Sequence, residues 1–234
     1  MQAQARPLTG RSFYLGLMGT ITVIVLYGFS NTVDVDIFHP ALPQPAILYI
    51  HAVVYTSWLL ILLLQTALIW MRNLRLHRKL GWYGAAFAAV MVVIGVMTTI
   101  MMGKVHVARL GVEQAMFIYR PLEDIVFFGA ALGLAIHWRR RPDFHRRLMV
   151  LASCALTPPA ISRIPVIHSL GMVYLVTDLL VMTAILYDLN TIRRVHAVYR
   201  WGLGIGVTGQ AALLLVMSKQ PAPFVAFARY VTQS

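Results

Sequence analysis

The chain is short of most of the residues that soluble enzymes and secreted scaffolds rely on. Cysteine occurs once in 234 residues, at Cys154 inside an apolar run. That excludes a disulfide framework or a cysteine metal cage within one chain and leaves a small buried hydrophobe. Acidic residues number 8 against 20 lysines and arginines, and charged residues of every kind make up 12%. There is no HExxH or HxxxH pair, no GxSxG turn and no glycine-rich phosphate loop, and Ser153 and Ser162 have no histidine–acid partner near them in sequence. The apolar run 200–217 contains no lysine, so it offers no retinal Schiff base.

Apolar length is what the chain has in excess. Hydrophobic residues make up 59% and the mean hydropathy is +0.72, a composition of membrane proteins. A bilayer core of about 30 Å takes roughly 20 apolar residues per helix. Seven runs qualify, at 13–30, 47–70, 80–102, 117–138, 147–166, 169–187 and 200–217. They predict an all-α, seven-transmembrane-helix bundle forming one domain over 1–234, with a short N-terminal tail at 1–12 and a C-terminal tail at 218–234. The first run follows Arg6 and Arg11 without a small-residue cleavage site, as in a retained signal anchor.

The basic residues fall in short clusters between the runs, a topology signal rather than a nucleic-acid stripe. Fourteen lie on the side of the N-terminus and six on the other, which predicts a cytoplasmic N-terminus, a periplasmic C-terminus and a bacterial inner-membrane location. The clusters would meet anionic lipid headgroups, and the tail, with Phe224, Phe227 and Val231 at helical spacing, would lie along the outer interface. A shift of 68 places sets "IWMRNLRLHRKL" over "HWRRRPDFHRRL", matching Trp70 with Trp138 and His77-Arg78 with His145-Arg146. Runs two–three and four–five therefore read as repeated hairpins. A topology label is the first reading of these loops; since topology needs positive charge but not a histidine at a fixed place, the alternative is that His77 and His145 cap a preceding helix end or bind a headgroup.

Ionisable groups inside a span are costly and therefore informative. His51, Tyr55, Trp58, Leu62 and Gln65 share one face of the second run. Arg120 and Asp124 stand four apart and can pair, with Glu123 on the adjoining face; Pro158 and Pro159 must break the fifth run, with Arg163 one turn later. Tyr174 and Asp178 are four apart, after His168 in the preceding turn. Counting about 1.5 Å per residue places His51 about 6 Å, Asp124 about 10 Å and Asp178 about 13 Å below the outer boundary. His51, Tyr55, Asp124, Arg163, His168, Tyr174 and Asp178 are thus expected around one pocket in the outer half. The structural alternative is a knot in which Arg163 neutralises Asp124 or Asp178.

Several chemistries fit such a pocket. A b haem would take His51 and His168 as ligands and Arg120 or Arg163 at its propionates, and a quinone is the related redox reading. A metal could draw on His51, Glu123, Asp124 and Asp178, or, for copper(I), on Met97, Met101, Met102 and His106. Carriers also combine repeated hairpins, a proline-broken helix and buried carboxylates, most readily as homo-oligomers. A non-catalytic assembly factor needs only the bundle.

"LHRKLGW", "FHRRLMVLASCALTPPAISR", "IHAVVYTSWLLILLLQ" and "PLEDIVFF", within residues 48–200, resemble a family of uncharacterised bacterial multi-pass inner-membrane proteins with a repeated His-Arg-(Lys/Arg)-Leu loop. The positions matching that pattern are His51, His77, Asp124, His145 and Arg163; the resemblance implies a seven-helix bundle and names no cofactor. A more distant similarity, to proteins grouped with haem-copper oxidase maturation, rests on the histidine–arginine helix start.

Overall fold

The computed structural model describes residues 10–233, and all regular structure there is helical. In chain order the helices are α1 (Gly10–Ser30), α2 (Ala46–Trp70), α3 (Leu74–Leu110), α4 (Tyr119–His137), α5 (Pro142–Ala155), α6 (Pro158–Ile161), α7 (Pro165–Ser169), α8 (Val173–Ile192), α9 (Ala197–Lys219) and α10 (Ala222–Gln233). A π-helical turn, Asp34–Phe38, follows α1, and a 3-10 segment, Val112–Ile118, precedes α4.

Five of these, α1, α2, α3, α8 and α9, are long and apolar enough to cross a membrane, as a multi-pass membrane protein requires. The fourth and fifth runs meet that measure less well. Helix α4 carries Arg120, Glu123 and Asp124 in its first two turns, and α5 is only 14 residues long. The fifth run is not one helix. It starts at Pro142, five residues early, and stops at Ala155 because neither Pro158 nor Pro159 can donate to the ladder. Arg146 and Arg147 therefore sit inside a helix rather than in a loop. The third run continues eight residues past its expected end, since nothing breaks "GKVHVARL" before Gly111, whose φ of 105° ends α3. At 37 residues, about 55 Å, α3 exceeds the hydrocarbon thickness. The overhang carries α10, whose buried face is Ala228 and Thr232 while Phe224 and Phe227 stay exposed beside Tyr119.

The larger of two core clusters, with Leu17, Ile21, Trp58, Met91, Phe128, Leu151, Val181 and Tyr199, joins α1 through α5 with α8 and α9. Their outer faces are exposed and apolar, with Val23 and Tyr27 on α1, Val53 and Leu60 on α2, Val90 and Val93 on α3, and Leu175 and Leu179 on α8. Such faces belong in lipid.

The start of α1 and the α2–α3, α4–α5 and α8–α9 turns gather at one end, here the basic end, where Phe13 stacks on Tyr187 at 3.9 Å and Arg139 lies over Trp82. Leu74 and Pro142, the first residues of α3 and α5, are 68 apart, the same shift that aligns the two sequence motifs. The rings of His77 and His145 meet at 6.4 Å. His145 Nδ1 donates to the Ala135 carbonyl in the last turn of α4 at 2.9 Å. With its amide turned to satisfy both ends, Gln65 donates to His77 Nδ1 at 2.6 Å and accepts from the Gly81 N–H. Arg78 and Arg146 stay exposed.

The same end holds a buried ion pair that charge counting misses. Arg147 Nε and Nη2 donate to the two carboxylate oxygens of Asp188 at 2.7 and 2.6 Å, and Nη1 donates to the Asp143 carbonyl at 2.7 Å. The two side chains are 2% and 1% exposed. Arg147 thus ties α5 to α8 rather than meeting headgroups. Burial, then the nearby Arg147 charge, holds the His196 imidazole below its usual pKa, opposed by Asp143 at 3.6 Å. Removing one partner of such a pair strands the other charge, whereas replacing both with apolar groups is often neutral. We therefore expect Arg147→Met to lower stability by about 3–5 kcal/mol and Arg147→Met with Asp188→Leu to regain most of it, read by thermal unfolding in detergent.

Candidate functional site

Away from the basic end, α1, α2, α3, α4, the α5–α6 break and the start of α8 enclose a cavity of about 520 Å³, within the range of small-molecule sites. Six of the seven residues expected around one pocket line it: His51, Tyr55, Asp124, Arg163, His168 and Tyr174. Phe29, Trp58, Phe117 and Ile125 supply apolar wall, and Arg120 and His106 add further polar groups.

Local sequence explains how each helix contributes. On α2, His51, Tyr55, Trp58 and Leu62 recur every three or four residues, so one face meets the cavity for three turns. His51 stacks on Tyr55 at 3.9 Å, and the Tyr55 hydroxyl donates to the Met91 carbonyl of α3 at 3.1 Å. Tyr55 can approach because Gly95 presents no Cβ, which would strike its hydroxyl. Gln65, the fifth member of the face, points to His77 instead. The proline break forms another wall, with Pro158, Pro159 and Ser162 on the cavity. Gly28 of α1 lies against the Ala160 backbone there, so closely that a Cβ would collide with it.

Arg163 does not neutralise Asp124 or Asp178. Its Nε donates to Thr32 Oγ1 at 3.0 Å, Nη1 donates to the Pro159 carbonyl at 2.6 Å and Nη2 stands 4.0 Å from Asp36, with the guanidinium 4.6 Å from the centre of the Phe29 ring. Thr32 and Asp36 lie in the turn after α1 and the π-helical turn that follows it, outside the apolar runs, where sequence periodicity says nothing. The usable signal was scarcity, since Asp34 and Asp36 are two of only eight acidic residues. Nor does Arg120 pair with Asp124. Among the described residues no ion pair or hydrogen bond reaches Asp124, which is 8% exposed.

Asp178 is the seventh candidate, and it faces elsewhere. Gln210 of α9 donates to it at 3.2 Å beside a small pocket of about 40 Å³ that also touches Glu123, Asp124 and Cys154. Helix α9 supplies this partner across the bundle, which spacing within α8 could not reveal. The metal reading loses its ligand set for the same reason: His51 borders the large cavity, Glu123 and Asp178 the small one, and only Asp124 touches both. Among the described residues no three His, Cys, Asp or Glu side chains lie together as a metal would need. The methionine–histidine set divides too. Met97 and Met101 are exposed, whereas Met102 and His106 line the cavity, and His106 Nδ1 is bonded to the Met102 carbonyl at 2.7 Å.

Four buried side-chain atoms among the described residues lack a hydrogen-bond partner. Two are the Tyr14 and Tyr199 hydroxyls near Arg147, which approach each other. The others are His51 Nδ1 and Trp58 Nε1, two helical turns apart on the cavity wall. An unmade bond of this kind costs about 1–3 kcal/mol, and all four atoms are sealed from the cavity as well as from solvent. Comparison with protein-family models, curated proteins and solved structures finds no match to the chain.

The α1–α6 contact makes the cavity's shape testable. Gly28→Ala should lower stability by about 1–3 kcal/mol through overpacking, whereas Gly16→Ala, with open space around it, should leave the melting temperature unchanged or slightly raised.

Proposed function

We propose that the chain is a seven-helix bacterial inner-membrane protein, N-terminus inside, whose cavity in the outer half holds an apolar redox cofactor, a b haem or a quinone. The observation that carries this is the cavity wall itself. Residues costly to bury converge on one space of about 520 Å³, and Asp124 stands there without an ion pair or hydrogen bond among the described residues. In a purely structural knot a buried carboxylate such as Asp124 would be paired.

The residues fit either cofactor. His51, His106 and His168 bring imidazoles to the cavity, and Arg120 and Arg163 bring the positive charge that propionates prefer. A quinone would use the same imidazoles as hydrogen-bond donors. In a redox role the chain's part is to bind and orient the group and to keep water from it; electron transfer belongs to the cofactor. The proline break on the cavity wall favours a second reading, transport of a small polar molecule, since carriers place substrates at such breaks.

An optical spectrum of the detergent-purified protein, oxidised and then dithionite-reduced, is the direct test. The redox reading expects either a Soret band with sharp reduced bands, weakened in His51→Leu, or a quinone in the organic extract at close to one per chain. A featureless spectrum and an extract without quinone would leave transport as the better reading.

Orientation has its own test. Cys154 is buried, so in Ala222→Cys the exposed thiol at the start of α10 should react with an impermeant reagent in cells with a permeabilised outer membrane. Labelling only after lysis would reverse the proposed topology.

A further inference from the structure

We infer that Asp124 is a proton-binding site on the wall between the two cavities, and that it exchanges its proton through water with Glu123 and Asp178 in the smaller one. That role does not depend on which molecule fills the larger cavity, so it can fail without the reading above failing.

Among the described residues the buried charged side chains are Asp124, Arg147 and Asp188. Arg147 and Asp188 hold each other. Asp124, 8% exposed, has no hydrogen bond or ion pair among the described residues, and Arg120, one turn earlier on α4, stays exposed at the larger cavity instead of covering it. Nor is its carboxylate sealed. The side chains with an unpartnered atom cut off from all open space are Tyr14, His51, Trp58 and Tyr199, and Asp124 is not one of them. It lines both the cavity of about 520 Å³ and the pocket of about 40 Å³. A small species can therefore reach it from either side.

The titratable groups around Asp124 select that species. Glu123 adjoins it on α4, Asp178 of α8 and Cys154 of α5 share the smaller pocket, and Tyr55 of α2 and Tyr174 of α8 stand close enough to feel its charge. Around the larger cavity stand Asp36, His51, His106, Arg120, Arg163 and His168. Among the described residues no three of these ligand types converge as a metal ion needs, and the two arginines repel an organic cation. A proton needs one oxygen and no room. The smaller pocket is large enough for about two or three waters. Gln210 donates to Asp178 Oδ1 at 3.2 Å, which leaves Asp178 Oδ2 and the carboxylates of Glu123 and Asp124 as partners for that water. When the O–H bond of protonated Asp124 breaks, a pocket water takes the proton and gives up another to Asp178 or Glu123. One carboxyl becomes a carboxylate as another is neutralised, so no charge is created.

Infrared spectroscopy of the full chain in lipid nanodiscs tests this, because a protonated carboxyl has a C=O stretch of its own that shifts when deuterium replaces the proton. We expect a band that grows as pH falls and is missing from Asp124→Asn. On mixing with D2O it should shift at least about tenfold more slowly in the double variant Asp178→Asn with Glu123→Gln than in wild type. Thermal unfolding verifies that each variant folds. Asp124→Glu replaces an Asp124→Asn that does not, and there the band should move rather than vanish; Asp178→Asn alone replaces a misfolded double variant. A carboxyl spectrum that is the same in the Asp124 variant as in wild type would overturn the proton site. A band that depends on Asp124 but exchanges equally fast without Asp178 and Glu123 would overturn the route through the smaller pocket. In either case the optical spectrum and the organic extract decide the cofactor reading separately.

Discussion

Hydrocarbon forms no hydrogen bonds, so each polar group carried into the bundle must find a partner there or border a space that something else fills. The two ends of the bundle differ in how they meet this constraint. Near the basic turns, Arg147 and Asp188 satisfy one another through two direct bonds, and the Asp143 carbonyl takes a third donor. Around the cavity the pairing is incomplete. Arg163 is held by Thr32 and the Pro159 carbonyl, but Asp124, His51 Nδ1 and Trp58 Nε1 are not matched to each other. Burial without a partner is not confined to the cavity end, since the Tyr14 and Tyr199 hydroxyls near Arg147 also lack one.

The open end owes its shape to backbone features as much as to side chains. Pro158 and Pro159 stop α5 after 14 residues and turn the chain through α6. A helix continuing through 166 would fill the space that Ser162 and the two prolines now border. Gly28 lets α1 close on that turn at the Ala160 backbone, and Gly95 admits the Tyr55 hydroxyl between α2 and α3. Tyr55 in turn holds the His51 ring face to face. A proline pair thus makes room, and two glycines set the walls around it.

Much of this was legible in the sequence because spacing within one helix fixes which residues share a face. The α2 face of His51, Tyr55, Trp58 and Leu62, the break at Pro158 and the convergence of six candidates on one cavity follow from spacing and depth. Spacing says nothing about which neighbour a face meets. Asp178 was placed with the others by depth, but α9 brings Gln210 to it on another side. Hydropathy alone starts the fifth run at 147 and makes Arg147 an interfacial charge. Starting at Pro142, α5 carries Arg147 one turn inward to Asp188, one residue beyond the sixth apolar run. Asp36 lies in a single π-helical turn outside the apolar runs, too short to carry a periodicity.

The central claim is that the cavity is occupied in the membrane, and native mass spectrometry of the chain released directly from membranes tests it most directly. The account predicts a discrete adduct of constant mass that survives gentle activation and disappears when His51 and Trp58 are replaced together by leucine and phenylalanine in a folded variant. Bare protein mass, or the same heterogeneous lipid adducts before and after that replacement, would contradict it.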